Sequence, residues 1–410
     1  MCLLGAESHA VGFDLVTVGN TGNAPDAFGH GVVSYAYRVS TTEVTNAQYA
    51  EFLNAVDPSG NNALGLHDPF MEDGVLGGIS KSELALPGTV YAAIEGKAQD
   101  PVVWVTWFDA IRFANWMHNG QGSGDTESGA YLLLGGTPTP SNAATIVRSP
   151  DATYFLPTLD EWYKVAYHDA ASGQAGVYFD YANGSDTPPV SDHPDDNPSA
   201  ANYFNNDNLP NGFNDGYAVT GSTELPPAVP TLLNPLTEVG AYTAAQSPYG
   251  TFDQNGNVWE WNESTLAGSS DAGPNRSHRG GSWFSSPSGL TAPERGFDGH
   301  APDEGRNDMG FRIAAAAWAP GDANGDGVVD LLDFDVLAQR FGDSIGFGIG
   351  AGPEQGDFNG DGIVDLLDFD ILAQNFGVGA AAAIPEPSGA AVVGVGLCVW
   401  GRRRNRNERA

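Results

Sequence analysis

The chain has 410 residues, of which 41% are hydrophobic and 10% aromatic, so it can bury a substantial core. Its formal net charge at pH 7 is −34, from 17 lysines and arginines against 51 aspartates and glutamates. Because proteins bind a phosphate backbone through basic side chains that displace counterions, this charge excludes nucleic acid as a partner.

The first segment of the chain, residues 1–10, is interpreted as the remnant of a signal peptide. Ser8–Ala10 resembles a small-residue cleavage site, although the segment has no basic start. The two cysteines, Cys2 and Cys398, lie near the two ends of the sequence. If both end segments are removed or embedded in a membrane, the body of the protein has no thiol and no disulfide.

Three helices are predicted in the first half of the chain. The first begins with a capping box of Thr45 and Gln48, and the third begins at Thr158, which is paired with Glu161. The second begins at Thr106, with Asp109 in its first turn. The first helix is expected to end near Asp57 and the second at Asn119.

The remainder of the chain falls into a loop-rich part, a repeat and a tail. Long polar loops such as residues 183–214 follow the third helix. The composition changes at residues 314–320, where we place a domain boundary. The unit GDANGDGVVDLLDFD (321–335) then returns almost unchanged as GDFNGDGIVDLLDFD (356–370). Residues 380–410 form a separate tail.

A set of sequence blocks is spread over residues 11–317. The blocks are YRVSTTEVTNAQYAEFL (37–53), PVVWVTWFDAIRFANWM (101–117), FLPTLDEW (155–162), YGTFDQNGNVWEW (249–261), RGGSW (279–283) and GFR (310–312). Each block is short, but together they resemble the sulfatase-modifying-factor family, which includes formylglycine-generating enzyme. The resemblance implies an α+β fold of the irregular, C-type-lectin-like kind with few regular elements.

The catalytic cysteines of that family are replaced in this chain. In active members, two cysteines after the RGGSW block hold copper and oxidise a substrate cysteine. The corresponding positions here are Ser285 and Leu290. A hydroxyl and an isobutyl group cannot hold Cu(I), which prefers thiolate ligands. We therefore expect neither formylglycine chemistry nor copper.

A metal-dependent oxidoreductase with a non-cysteine site is the alternative function, because relatives of this fold use iron held by histidines. The histidines of this chain show no ligand spacing: His9, His30, His67, His118, His168, His193, His278 and His300. We expect them to be surface or core residues.

The resemblance also implies structural calcium in the large domain. Asp253 and Glu260 would supply carboxylates. The carbonyl oxygens of Gly256 and Val258 would complete a set of the hard ligands that calcium prefers. A second, looser set comprises Asn202, Tyr203, Asp215 and Tyr217. The first stretch also fits a turn at Asn255 before a buried strand, and both interpretations are compatible.

Both repeats fit the EF-hand loop pattern, in which alternate positions turn oxygens inward. The predicted side-chain ligands are Asp322, Asn324, Asp326, Asp330 and Asp333 in the first loop and Asp357, Asn359, Asp361, Asp365 and Asp368 in the second, with the carbonyls of Val328 and Ile363. The carboxylates of one loop repel one another without a cation. We therefore expect one calcium ion per loop and folding that depends on calcium.

The repeats lack the entering helix of a full EF-hand, because a proline-containing stretch precedes each loop. Only exit helices are predicted, closed by Gly342 and Gly377. Such paired units resemble type I dockerin, a small all-α calcium-binding module, here over residues 318–379. The resemblance implies docking to a cohesin-like receptor, or another envelope protein, in polysaccharide-degrading assemblies.

Two leucine pairs are candidate partner-binding residues. Leu331 and Leu332, and Leu366 and Leu367, precede the last ligand of each loop, where many dockerins have polar recognition residues. They are interpreted either as a hydrophobic docking surface or as packing between the repeats or against the large domain.

The tail has three parts in a fixed order: Pro385-Glu386-Pro387, an apolar run over residues 389–400, and an arginine cluster. This order resembles the PEP-CTERM sorting signal, which implies export, a transient stay in the membrane and processing by an exosortase. A weak membrane anchor is the plainer interpretation, and it also leaves the body outside.

The leading interpretation is an exported, non-catalytic binding or scaffold protein at the cell surface or outside the cell. Its expected parts are residues 1–10, 11–317, 318–379 and 380–410. The large domain is expected to bind a glycan or a peptide in polysaccharide-degrading or exopolysaccharide-associated assemblies. A third interpretation, a chaperone for cysteine-bearing peptides, also stays open.

Overall fold

The computed structural model describes residues 11–72, 74–123, 125–223, 234–293, 299–324, 328–344, 353–358 and 363–378. The chain forms two compact units, one ending at Ala317 and one beginning at Trp318. The predicted signal remnant and sorting tail lie outside the described residues. Within those residues, no helix combines the length and apolar composition needed to cross a bilayer.

The large domain contains the three predicted helices, α1 (Asn46–Val56), α2 (Trp107–His118) and α3 (Leu159–Tyr167). Each begins with a capping box at its predicted starting threonine, whose side chain accepts from the backbone N–H three residues later; the box at Thr106 was not predicted. The ends predicted near Asp57 and at Asn119 are confirmed by the C-cap positions of α1 and α2.

The strands are short and form small, separate sheets. They are β1 (Leu15–Val18), β2 (Tyr37–Ser40), β3 (Ile79–Lys81), β4 (Tyr91–Ala93), β5 (Tyr154–Phe155), β6 (Phe204–Asn206), β7 (Asp215–Tyr217), β8 (Trp259–Ser270), β9 (Gly273–Arg279), β10 (Met309–Gly310) and β11 (Ala314–Ala316). The sheet orders are β1-β2-β11-β5, β10-β8-β9, β3-β4 and β6-β7. The predicted irregular α+β fold is confirmed.

In the core of the large domain, side chains from the beginning and the end of the domain pack against each other. The ring centroids of Phe52 in α1 and Phe311 after β10 lie 5.3 and 5.4 Å from that of Phe113 in α2. All three rings are buried, and edge-to-face pairs of this kind stabilise a core beyond the area they bury. The final strand, β11, pairs with β2, which in turn pairs with the opening strand β1, so the two ends of the domain share one sheet.

The C-terminal module consists of two repeats that brace each other. Its helices are α4 (Leu331–Arg340) and α5 (Leu366–Asn375), as predicted, and its core contains Val329, Leu337, Val364 and Leu372. The Val329 N–H donates to the Val378 carbonyl at 2.9 Å, and the Val364 N–H donates to the Asp343 carbonyl at 3.0 Å. Each loop is therefore closed against the end of the other repeat's helix.

Candidate functional sites

The two positions that carry cysteines in active relatives lie on the loop after β9. The Ser285 hydroxyl accepts from the Ser282 N–H at 2.9 Å. The Leu290 side chain is fully buried and packs with Tyr181 and Tyr203. A hydroxyl with a local hydrogen bond and an apolar group in a core cluster offer no ligand for a soft metal at these two positions.

The loop reaches this position because glycine follows β9. Gly281 has a φ of +79°, a conformation that favours glycine, and a Cβ there would lie 2.5 Å from Leu290 Cδ2. A side chain at position 281 would therefore push Leu290 out of its cluster.

A group of polar side chains surrounds Ser282. Its hydroxyl donates to Asp308 Oδ2 at 3.3 Å, and the other oxygen of Asp308 accepts from Arg306 Nε at 3.1 Å. Asp308 is buried, whereas 38% of the Arg306 side chain is exposed. We call Ser282, Ser285, Arg306 and Asp308 the polar centre.

Two pairs of aromatic rings lie beside the polar centre. The first aromatic plate is Phe70 stacked on Trp104, with centroids 4.8 Å apart. The second is Phe284 stacked on Tyr217, with centroids 6.3 Å apart. The outer ring of each plate is exposed, 54% for Phe70 and 49% for Phe284. Sequence reasoning missed both plates, because their members are far apart in the chain.

Two of the scattered histidines come together in the structure. The rings of His278 and His300 lie 4.6 Å apart at 88°, and His278 also stacks on Trp259 at 4.8 Å. His300 Nδ1 lies 3.4 Å from a carboxylate oxygen of Glu304. Burial, reinforced by His300, Arg306 and Arg279, holds the pKa of His278 well below its usual range. No spacing signal in the sequence predicts this pair.

The predicted calcium ligand Asp253 lies in a buried acidic cluster. Glu43, which the sequence did not single out, and Glu260 belong to the same cluster, and burial raises the pKa of Asp253 to about 6. Burial, then Asp253 and Glu260, also raise the pKa of Glu43 well above its usual range. Arg312 donates to both oxygens of Glu260, at 2.5 and 2.7 Å. The single positive charge of Arg312 thus faces three carboxyl groups, those of Glu43, Asp253 and Glu260.

Asp253 fits a cation better than Glu260 does. Its Oδ1 is buried without a hydrogen-bond partner, and the side chain lines a cavity of about 10 Å³ together with Asn202 and Gly256. A Cβ at Gly256 would clash with the Asn202 carbonyl oxygen, so glycine permits this close approach. Both oxygens of Glu260 are engaged by Arg312, and Oε2 also accepts from Trp162.

The buried Val258 follows Gly256 toward β8. Over the described residues, no group of three or more His, Cys, Asp or Glu side chains is placed to hold a metal ion. A site at Asp253 would therefore depend on carbonyl oxygens.

In the C-terminal module, Asp333 organises the first loop. Its Oδ1 accepts from the N–H groups of Ala323 and Asn324 at 2.7 and 3.0 Å, and its Oδ2 accepts from the Asp330 N–H at 2.7 Å. Asp330 in turn caps α4 by accepting from the Leu332 N–H. The last predicted ligand is thus held at the centre of its loop.

Asp368 does the same in the second loop. It accepts from the N–H groups of Phe358 and Asp365, both at 2.8 Å, and Asp365 caps α5. Four predicted carboxylate ligands are at most 2% exposed: Asp322, Asp333, Asp357 and Asp368. The structure also describes Val328 and Ile363, whereas Asp326, Asn359 and Asp361 lie outside the described residues.

The two leucine pairs lie on the surface of the module. Leu331, Leu332, Leu366 and Leu367 are 57–69% exposed, so they do not form the core between the repeats. The rings of Phe334 and Phe369, one from each repeat, meet edge to face with centroids 6.2 Å apart. An apolar groove of about 350 Å³ is lined by Leu331, Phe334, Phe369, Leu372, Ala373 and Phe376. We call this surface the leucine face.

Solved structures that resemble the chain have low structural similarity. CarF is 22% identical, with a TM-score of 0.42 over 75% of this chain and 99% of that chain. Treponema denticola variable protein 1 is 19% identical, with a TM-score of 0.42 over 75% and 96%. A type II cohesin–dockerin domain from Bacteroides cellolosolvens is 41% identical, with a TM-score of 0.13 over 16% and 97%. No curated protein matches the chain significantly.

Family models account for both units. Residues 320–377 match the dockerin type I domain, so the C-terminal module is a dockerin. Dockerins bind calcium and dock to cohesins in extracellular or cell-surface proteins. Residues 15–317 match the sulfatase-modifying factor enzyme 1-like domain. The chain therefore belongs to the family of proteins with a sulfatase-modifying factor enzyme 1-like domain, here followed by a type I dockerin.

Proposed function

We propose that this protein is an exported, non-catalytic binding or scaffold protein that docks through its dockerin to a cohesin-like receptor. The observation that carries the proposal is the pairing of an exposed, duplicated leucine face with a large domain that lacks the family's cysteines. Polysaccharide-degrading or exopolysaccharide-associated assemblies are the proposed setting, and the PEP-CTERM-like tail is the proposed signal for exosortase processing.

The non-catalytic role is supported by the surroundings of Ser285 and Leu290. Leu290 is fully buried beside Tyr181 and Tyr203, so this position serves core packing. Formylglycine chemistry needs two thiolates to hold Cu(I), and neither side chain can take that role. The large domain then keeps the fold of its family while its surface is free to serve binding.

Docking is supported by the exposure and symmetry of the leucine face. Large apolar side chains that remain exposed at equivalent positions of two repeats are typical of a partner surface. The same residues lie next to the last predicted ligand of each loop, Asp333 and Asp368. Calcium that orders a loop would therefore also order the adjacent leucines.

We propose one calcium ion in each dockerin loop and a further ion at Asp253 in the large domain. The dockerin ligands are those predicted from the EF-hand pattern. At Asp253, the unpartnered Oδ1 and the carbonyls of Gly256 and Val258 would supply oxygens. An ion there would neutralise carboxylates that Arg312 alone leaves in excess.

A pull-down from envelope extract of the source bacterium tests the docking role. Residues 11–379 and residues 11–317 serve as baits, each in calcium and in chelator. A cohesin-containing protein captured only by the longer bait and only in calcium is expected. Capture of the same proteins by both baits would assign binding to the large domain and contradict the proposal.

A metal-dependent oxidoreductase is the second candidate, because the structure brings His278 and His300 into ring contact. The pair would supply two imidazole ligands, although over the described residues no third His, Cys, Asp or Glu side chain is placed to complete a site with them. About one equivalent of redox metal in the purified protein, together with oxygen uptake that is lost in His300→Ala, would favour this function over the first.

A further inference from the structure

We propose that the polar centre and the two aromatic plates form a binding site for neutral oligosaccharide chains. The inference deepens the proposed binding role of the large domain and rests on it. Oligosaccharide binding by the large domain does not depend on docking by the dockerin, so either proposal can be wrong while the other holds.

Backbone hydrogen bonds join each plate to the polar centre. The Trp104 N–H donates to the Arg306 carbonyl at 2.8 Å, which ties the first plate to the polar centre. On the other side, the Phe204 N–H donates to the Ser285 carbonyl at 2.9 Å, and its ring packs 4.7 Å from Tyr217 in the second plate. Both plates are therefore tied through the backbone to the polar centre, whose accessible groups are the Arg306 guanidinium and Ser285.

The first plate is held in place by a strained backbone. Trp104 has a φ of +64°, which is unusual for a bulky side chain, and residues at functional sites often carry such strain. The conformation is kept by the Arg306 carbonyl on one side and by Gly305 on the other, where a Cβ would lie 2.8 Å from the Trp104 carbonyl oxygen.

An oligosaccharide matches this arrangement of groups. A sugar ring has an apolar C–H face that packs on an aromatic ring and a rim of hydroxyls that pair with polar side chains. The Arg306 guanidinium, which is 38% exposed, and the half-buried Ser285 can pair with those hydroxyls, while the buried Asp308 and Ser282 hold Arg306 and Ser285 in place. A net charge of −34 disfavours acidic sugars, so the expected ligand is neutral.

A peptide fits the surface less well. Extended peptides usually pair with an open strand edge, which provides main-chain hydrogen bonds. The strand next to Asp308, β10, is the edge strand of its sheet, but it has only two residues and both are buried. The plates also offer flat faces instead of a closed pocket for a side chain.

The test is binding of the full chain, in calcium, to neutral gluco- and xylo-oligosaccharides, with uronic-acid oligosaccharides and peptides as comparators. Phe70→Ala and Phe284→Ala should each weaken binding of a neutral chain by about tenfold or more. Phe70→Tyr should keep it, because an aromatic face is retained. Leu84→Ala, at a site that is 98% exposed on the β3–β4 loop, is the matched control and should change nothing.

Each outcome decides the proposal. Neutral chains that bind and lose affinity in both alanine variants support it, and variants of the leucine face should leave this affinity unchanged. No binding of neutral chains, binding only of uronates or peptides, or binding that both alanine variants leave intact would overturn it. Cohesin docking would stand in any of those cases, because it is measured on the other unit.

Discussion

At the scale of single residues, two positions in the dockerin require glycine because the backbone there lies close to a helix. Gly356 begins the second repeat with a φ of +87°, and a Cβ there would lie 2.8 Å from Leu337 Cα in α4. Gly321 stands in the equivalent contact with Leu372 of α5. These glycines let each repeat approach the helix of the other.

Gly356→Ala is expected to destabilise the module by about 1–3 kcal/mol more than Gly342→Ala. Gly342 has a similar φ of +90° but nothing within 4 Å of its Cβ position. The loss of stability in Gly342→Ala therefore measures the effect of backbone strain without a steric clash. Thermal unfolding in calcium compares the two variants. Equal losses would mean that the contact with Leu337 is unimportant.

Glu263 is expected to make the stability of the large domain depend on pH, and substitution of Glu263 should remove this dependence. Burial raises the pKa of Glu263 to about 7, from an ordinary value of 4.5, against the opposing effect of Arg148 at 3.2 Å. The folded state thus binds a proton that the unfolded state releases. The contribution of the protonated Glu263 to the stability of the folded state is complete below pH 4.5 and is lost as the pH rises toward 7.

Between pH 4.5 and 7, the stability of the wild type should therefore fall by about 2–3 kcal/mol relative to Glu263→Gln. Urea unfolding at several pH values measures the difference, with Glu83→Gln at an exposed site as control. A difference that stays constant with pH would contradict the raised pKa.

At the scale of elements, the two repeats form one folding unit. The loop of each repeat is hydrogen-bonded to the end of the other's helix through Val329 and Val364. A defect in one loop should therefore loosen both helices, and calcium should bind the two loops cooperatively.

Asp368→Ala is expected to expose the amides of both Val329 and Val364 to exchange, although only the second loop is altered. Amide hydrogen exchange in calcium measures this, and Asp370→Ala, outside the predicted ligand set of the same repeat, serves as control. Protection that is lost at Val364 but kept at Val329 would show that the repeats fold independently.

Contacts between residues that are close in the chain were predictable from the sequence, and contacts between distant residues were not. The capping boxes at Thr45 and Thr158 were predictable because both partners lie within one helical turn. His278 meets His300 only because distant segments pack together. For the same reason Glu43 lies in the same buried cluster as Asp253. No local pattern encodes such a contact, so the fold and the dockerin were predictable while the polar centre and its plates were not.

At the scale of the whole molecule, charge and calcium are linked. A net charge of −34 opposes compaction, and the buried carboxylates of the dockerin loops concentrate part of that charge. Calcium should therefore stabilise the chain more than sodium chloride at equal ionic strength, because screening alone does not reach buried carboxylates. Unfolding followed in both salts separates specific binding from screening.

The most direct test of the docking role is a binding titration of the full chain against a panel of purified cohesin domains, in calcium and in chelator. We predict that binding in calcium is lost in chelator, falls at least about tenfold in Leu332→Lys combined with Leu367→Lys, and is unchanged in Leu84→Lys. Binding to no cohesin, or binding that survives the chelator or the double substitution, would contradict docking through the leucine face.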